Sequence, residues 1–162
     1  MSVGIQSEPA EYGLVRSVFV SLDDLDPSGA VHSARYPLML ERVIIAYWLG
    51  RGWNFDARTS RIPDVLQVAR EIKVSYHAPI VGIGEVRLHL WIEAAGRTSF
   101  TYGFAFRSAD GTTLHATGHR VQVRLDPATF QPTPLSAEGV AELALFAKPG
   151  VLAGTNDREA AR

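Results

Sequence analysis

Several features are missing from this 162-residue chain, and each absence narrows its function. It has no cysteine, which excludes disulfides, cysteine nucleophiles and thiolate metal sites. No apolar stretch reaches membrane-spanning length, and the polar residues 1–11 lack the apolar core of a signal peptide. The formal net charge of −1 provides no basic surface for nucleic acid or an anionic membrane. We therefore expect a cytoplasmic protein that binds neither nucleic acid nor a membrane.

The length of the chain suits one domain with a core of ordinary size. Residues 1–12 have the polar composition of a flexible arm, and residues 13–147 contain the regular hydrophobic patterns. Residues 148–162 are predicted to form a C-terminal tail. The sequence therefore predicts a single domain flanked by two short terminal segments.

Five segments have the alternation or the β-branched composition of strands. They cover residues 14–22, 65–77, 85–94, 100–106 and 112–125. In the second strand one face is predicted to carry Val68, Ile72, Val74 and Tyr76. Gly118 is predicted to form a β-bulge, because the apolar alternation changes phase after it. The tripeptide at 109–111, Ala-Asp-Gly, predicts a hairpin between the last two strands.

Residues 34–50 have helical spacing and few charges, with apolar side chains recurring at Tyr36, Leu40, Val43 and Tyr47. Ser33 is the expected N-cap, and glycines follow the last turn. A helix this apolar must be surrounded on most sides. A second, short helix is predicted over 136–147, with Ser136 as its cap.

These elements predict an α+β fold in which a five-stranded antiparallel sheet wraps around one long apolar helix. A short C-terminal helix completes the domain. Such a sheet has open edges and covers only part of its core, so pairing with a second copy of the chain is expected.

The turn Asp26-Pro27-Ser28-Gly29 lies seven residues before the expected start of the long helix. One explanation is purely structural, since Asp, Pro and Gly occupy their preferred positions in a type I turn. The other is catalytic, since an ionised carboxylate beside free helix N–H groups can attack a carbonyl or activate a water. Residue types alone do not decide between nucleophile and general base.

Backbone N–H groups at Ser33 and Ala34 are predicted to polarise a carbonyl oxygen. One such donor is typically worth about 10²–10³ in rate, and a positioned acid or base about 10²–10⁴. Together they suit an activated ester rather than an amide. The alternative is that Ser33 only caps its helix.

Other polar residues have weaker patterns. His32 with Asp23 or Asp24 could bind zinc, but a lone histidine near acids is more often a hydrogen-bonding residue. An EF-hand is excluded, because Arg35 occupies the position that needs a bidentate Glu. We predict no metal and no separate cofactor.

Three charged residues are further binding candidates. Glu41 provides a second carboxylate if it faces the site, or pairs with a neighbouring arginine if it faces outward. Arg120 and Arg124, near the end of the last strand, either hold nucleotide phosphates or are solvated.

Three motifs resemble the hotdog-fold 4-hydroxybenzoyl-CoA thioesterase family, which includes the Tol-Pal-associated acyl-CoA thioesterases. The similarity extends over about residues 15–136. The first motif is Asp26-Pro27-Ser28-Gly29-Ala30-Val31, followed by Tyr36 and Glu41-Arg42. The second is Val74-x-Tyr76-x-Ala78-Pro79 with Gly84-Glu85. The third is Val121-x-Val123-x-Leu125-Asp126-Pro127 with Pro132 and Pro134-Leu135.

The resemblance implies a hotdog homodimer, often paired into a tetramer, that hydrolyses an acyl-CoA or acyl-carrier-protein thioester. The catalytic carboxylate falls on Asp26 and the carbonyl-polarising amide on or next to Ser33. Tyr36 would shape the acyl pocket, and His32 stands where relatives carry an aromatic residue or a histidine. Coenzyme A would be part of the substrate. The chain departs from the family at Pro79-Ile80-Val81, which lacks a frequent arginine.

Two other functions stay open at this stage. A hotdog hydratase or dehydratase would pair Asp26 with His32, although the Gly-Asp-x-Asn-Pro pattern of those enzymes is missing. A non-catalytic dimer that binds acyl thioesters would keep its affinity when Asp26 is replaced.

Overall fold

The computed structural model describes residues 10–152, and all the predicted elements are present in it in the predicted order. The strands are β1 (Leu14–Val20), β2 (Gln67–Tyr76), β3 (Gly84–Ala95), β4 (Ser99–Ser108) and β5 (Leu114–Arg124). The helices are α1 (Arg35–Gly50) and α2 (Ala137–Ala144), and a single 3₁₀ turn covers Leu22–Asp24. Residues 1–9 of the predicted arm and 153–162 of the predicted tail lie outside the described residues.

The sheet has five strands in the order β1-β3-β4-β5-β2, and every neighbouring pair is antiparallel. Strands β3, β4 and β5 follow one another as hairpins, while β1 and β2 are the two edges. The β4–β5 hairpin turns at the predicted tripeptide, where Gly111 adopts a φ of 79° that favours glycine. The predicted antiparallel sheet is confirmed.

Helix α1 packs against the inner face of this sheet. Its buried side chains meet the aromatic residues of β4 and the aliphatic residues of β3 in one continuous core. The indole N–H of Trp48 donates a hydrogen bond of 2.7 Å to the hydroxyl of Tyr102, so both buried polar groups are satisfied. The buried members include Met39, Leu40, Ile44, Trp48, Leu88, Leu90, Ile92, Phe100, Tyr102, Phe104 and Phe106.

Strand β2 differs from its prediction. Its pairing with β5 shifts between Ala69 and Glu71, so one extra residue is inserted. The side chains before and after the shift therefore point to opposite faces, and Val68 does not share a face with Ile72. Both are substantially exposed, at 39% and 40%. The prediction of one continuous apolar face on β2 is wrong.

The predicted bulge at Gly118 is also wrong. Gly118 pairs regularly with Val74 on one side and with Phe104 on the other. A Cβ at this position would lie 2.0 Å from the carbonyl oxygen of Lys73 and 2.5 Å from Cζ of Phe104. Glycine is required here because backbone and ring approach closely. The irregularity in β5 lies instead at His115, between the partners of Phe106 and Arg107.

The two ends of the described chain contact the domain. The ring of Tyr12 lies 5.4 Å from that of His89 on β3. Beyond α2, the N–H of Lys148 donates to the carbonyl oxygen of Ile92, and Leu152 packs on the core. The predicted cap of α2 is confirmed, since Ser136 Oγ accepts the N–H of Gly139 at 2.9 Å. No helix between residues 10 and 152 is both long and apolar enough to cross a membrane.

Candidate functional site

A pocket of about 420 Å³ lies where the segment before α1 meets the end of β2. Four predicted site residues line it together: Asp26, His32, Ser33 and Tyr36. The remaining walls come from Val31 and from the segment 76–79 (Tyr-His-Ala-Pro). The structure thus brings the predicted carboxylate, the predicted amide and the predicted acyl-pocket residue to one cavity.

The loop that carries Asp26 is fixed at several points. The N–H of Gly29 donates to the carbonyl oxygen of Asp26 at 2.9 Å, which closes the predicted turn. The N–H of Val31 donates to the carbonyl oxygen of Ile80, and Ala30 forms a bridge with Val81. These bonds join the loop to the β2–β3 connection, so both walls of the pocket are held in register.

The carboxylate of Asp26 is arranged to stay ionised. Its Oδ1 accepts two hydrogen bonds from Ser28, one from the hydroxyl at 2.5 Å and one from the N–H at 2.7 Å. The Ser28 hydroxyl is the main reason that the pKa of Asp26 lies below its ordinary value, and His32 contributes a smaller electrostatic effect. The backbone N–H of Ala30 lowers the pKa of this carboxylate further. The carboxylate is therefore charged at neutral pH.

The start of α1 differs from its prediction. Ala34, not Ser33, occupies the N-cap position, and no side chain of its own caps the helix. Instead, Nδ1 of His32 accepts the N–H of Ala34 at 3.1 Å, which removes that amide from the predicted pair of donors. The N–H of Ser33 makes no hydrogen bond in the part of the chain that is described. The N–H of Ser33 is therefore an unpaired donor on a residue that lines the pocket.

Two residues of this pocket were missed by the site prediction, Tyr76 and His77. The hydroxyl of Tyr76 donates to the carbonyl oxygen of Ser33 at 2.9 Å, and Nε2 of His77 lies 2.8 Å from Oγ1 of Thr117. Tyr76 thereby fixes the peptide bond between Ser33 and Ala34 and holds the loop against β2. The signal that could have found them is the motif at 74–79, which follows a strand and ends in proline.

Tyr36 forms the buried floor of the pocket. Its ring packs edge-on against Tyr76 at 5.1 Å and Phe106 at 5.3 Å. Burial is the main cause that raises the pKa of its phenol, and a backbone hydrogen bond from Ile80 opposes it. Tyr36 therefore stays neutral and contributes shape rather than charge.

The other three predicted site residues lie away from this pocket. Arg120 is 8% exposed and donates to Gln122 at 2.9 Å and to Glu41 at 3.1 Å, so helix α1 and strand β5 are joined by an ion pair. Glu41 therefore pairs with a strand residue and not with its helical neighbours. Arg124 donates to the carbonyl oxygen of Pro134 and pairs with the buried Asp64 at 3.2 Å.

No group of three or more metal-ligating side chains (His, Cys, Asp or Glu) is assembled within residues 10–152.

The sequence model of the thioesterase superfamily matches residues 28–115. This chain belongs to the thioesterase superfamily. The match begins two residues after Asp26 and contains α1, β2, β3 and β4. No curated protein sequence matches the chain.

Several solved structures share the fold of this chain. A protein from Pseudomonas aeruginosa matches with a TM-score of 0.73 at 19% identity, over 86% of this chain and 94% of that one. A thioesterase superfamily protein from Jannaschia sp. matches with 0.70 at 20% identity, over 86% and 89%. The 1,4-dihydroxy-2-naphthoyl-CoA thioesterase of Synechocystis matches with 0.68 at 15% identity, over 80% and 94%. The predicted hotdog fold is confirmed, and the narrower Tol-Pal-associated grouping stays a prediction.

Proposed function

We propose that this protein hydrolyses an acyl thioester to a carboxylic acid and a thiol, with Asp26 as the catalytic carboxylate. The observation that carries the proposal is the pairing, in one pocket, of an ionised carboxylate and an unpaired backbone amide. A thioester carbonyl needs both: a group that delivers the nucleophile and a donor for the oxygen that becomes negative. Membership of the thioesterase superfamily supports the same reaction.

The chemistry can follow two routes from this geometry. In the first, Asp26 takes a proton from water, hydroxide adds to the carbonyl carbon, and the tetrahedral intermediate expels the thiolate. In the second, Asp26 itself adds to the carbonyl carbon, expels the thiolate as an anhydride forms, and water then hydrolyses that anhydride. In both routes the Ser33 N–H stabilises the oxyanion, and the thiolate leaves with a proton from solvent.

We expect the substrate to be an acyl-CoA or an acyl-carrier-protein thioester, with Tyr36 setting the shape of the acyl pocket. We also expect a homodimer, or a homotetramer built from it. The exposed apolar residues Val68 and Ile72 on edge strand β2 support pairing there, since an open edge with apolar side chains favours a partner strand. Such pairing would place a second copy beside the pocket, because Tyr76 ends the same strand.

A second candidate is an enoyl-thioester hydratase, which the shared pocket of Asp26 and His32 favours. It would add water across a carbon–carbon double bond and release no thiol. Incubation with an enoyl-CoA separates the two, because hydration removes the enoyl absorbance and hydrolysis releases a thiol.

The decisive experiment measures thiol release from a panel of aliphatic and aromatic acyl-CoAs and from an acyl-carrier protein. Asp26→Asn should lower kcat/KM by about 10²-fold or more, because the charge that activates the nucleophile is lost. Asp23→Asn is the matched control, since Asp23 is an exposed neighbour in the same loop and does not line the pocket. Equal activity of Asp26→Asn and the wild type would contradict the proposal.

The pH profile tests the same carboxylate independently. A lowered pKa means that Asp26 keeps its charge below the usual carboxyl range and loses it, with activity, as the pH falls through that pKa. Ser28→Ala removes the largest cause of the lowering, so the acid limb of kcat/KM should move to higher pH while the rate at pH 8 changes little. An acid limb that does not move would show that Asp26 is not the titrating group.

A further inference from the structure

A second cavity, of about 610 Å³, lies between edge strand β1 and the second half of helix α1. It shares no lining residue with the candidate site. Its apolar wall includes Leu14 and Val18 from β1, Val43 and Ala46 from α1, and Leu145 after α2. Its size falls within the range of about 300–1,000 Å³ that is usual for small-molecule sites.

Three arginines also line this groove, and two of them are poorly compensated. Arg16 donates only to the carbonyl oxygen of its neighbour Val15, and no carboxylate in the described residues pairs with it. Arg42 has one distant ion pair, 3.9 Å to Asp24, and its side chain is 56% exposed. Arg51 is different, since Glu142 accepts two hydrogen bonds from it. Arg16 is therefore available to a ligand, and Arg42 is shared with the buried Asp24 and acts on Asp23 as well.

A neutral donor lies beside these charges. Burial raises the pKa of the Tyr47 phenol, and the Glu142 carboxylate raises it further, so its proton is retained. Arg51 and then Arg16 are close enough to act on it in the opposite direction. Tyr47 lines the groove, and its hydroxyl forms no hydrogen bond among residues 10–152. A half-buried donor without a partner, next to an unpaired guanidinium, fits an oxygen anion.

We propose that this groove is a second ligand site, which binds a long-chain carboxylic acid. The hydrocarbon tail would lie on the apolar wall, and the carboxylate would accept hydrogen bonds from Arg16, Arg42 and Tyr47. This combination selects an amphiphile. A small anion would leave the apolar wall exposed to water, and a neutral hydrocarbon chain would leave the arginine charges without a negative partner. The site does not depend on the reaction proposed above.

Binding is tested on the full-length chain with oleate and oleyl alcohol, each below its aggregation threshold, by displacement of the fluorescent fatty acid cis-parinaric acid. Wild type should bind oleate about ten-fold or more tightly than the alcohol, because charge-assisted hydrogen bonds are stronger than neutral ones. Arg16→Gln should remove most of that preference while alcohol binding changes little. Arg97→Gln, an exposed loop arginine outside the groove, is the matched control.

A second variant tests the location. Ala46→Trp fills the groove from an exposed helix position and should abolish oleate binding, with thermal melting confirming that the chain is folded. Ala141→Trp, on an exposed position of α2, should bind like wild type. Asp26→Asn should also bind oleate normally, which separates this site from the proposed active site.

Three results would overturn the proposal. The first is a wild type that binds no oleate. The second is oleate binding that Ala46→Trp leaves unchanged, because the acid would then be held elsewhere, for instance in the candidate active site. The third is a lower mass in solution for Ala46→Trp than for wild type, which would assign the groove to a second copy of the chain.

Discussion

The two edge strands of the sheet differ in how well their inward side chains are buried. On β1 the inward side chains of Val18 and Val20 are buried in the chain's own core. On β2 the inward side chain of Ile72 is 40% exposed, and Tyr76 at its end is 51% exposed. Both strands pair on one side only. The chain itself therefore covers Val18 and Val20 at one edge, whereas it leaves Ile72 and Tyr76 partly exposed at the other.

This difference indicates which regions of the molecule are open to a binding partner. The β2 edge adjoins the candidate site, because Tyr76 and His77 line that pocket. The β1 edge adjoins the arginine-lined groove, which holds space for a small molecule. An apolar edge without cover favours a second protein strand, whereas an apolar groove lined by arginines favours a small anionic ligand. Three substitutions test this comparison, in order of their expected effect on stability.

The largest effect is expected from Val20→Asp on β1. Val20 is 1% exposed, so the new carboxylate would be buried without a partner. We expect the free energy of unfolding to fall by about 3–5 kcal/mol, measured by urea denaturation. A loss below about 1 kcal/mol would mean that the β1 edge is as open as the β2 edge.

An intermediate effect is expected from Gly118→Ala, which tests how β2 is attached. The new methyl group would collide with the backbone of Lys73 and the ring of Phe104. Overpacking of this kind typically costs about 1–3 kcal/mol, seen as a lower midpoint of urea denaturation. Gly96→Ala is the control, because its Cβ would meet only Ser99 at 3.6 Å. Equal stability of the two variants would show that β2 moves freely relative to β5.

The smallest effect on stability is expected from Ile72→Asp on β2. At a dilution where wild type is a single chain, the free energy of unfolding should change by less than about 0.5 kcal/mol, because the side chain is already solvated. At higher concentration the variant should sediment as a monomer while wild type sediments as a dimer. Phe19→Asp, exposed on the other edge, should keep the wild-type mass. A dimeric Ile72→Asp, or a monomeric Phe19→Asp, would place the interface elsewhere.

Features with local causes could be predicted from the sequence, whereas features set by contacts between distant segments could not. The alternation in β3 and β4 has local causes, since each side chain's face follows from its neighbours, and Leu88 and Phe104 are buried as predicted. The turn at Asp26 also closes locally, through Ser28 and Gly29. The prediction for Gly118 is wrong because glycine is required there by two residues of other strands, the backbone of Lys73 on β2 and the ring of Phe104 on β4.

The predicted site divides in the same way. Asp26, His32, Ser33 and Tyr36 are close in sequence and meet in one pocket. Tyr76 and His77 were missed because both are held by hydrogen bonds to distant residues: Tyr76 bonds Ser33 across 43 residues, and His77 bonds Thr117 across 40. The helix cap was assigned to Ser33, whereas His32 receives the N–H of Ala34, because a one-residue shift of a helix start has no clear trace in residue types.

The sequence by itself determined the α+β elements, the apolar helix at the centre and the acidic turn before it, because periodicity and turn chemistry act over a few residues. Only the tertiary structure decided that Arg120 pairs with Glu41, that Ser33 keeps a free N–H, and that β1 and β2 end the sheet differently. Those outcomes depend on which distant segments come into contact. Strand order and burial determine such contacts, and local sequence patterns do not encode them.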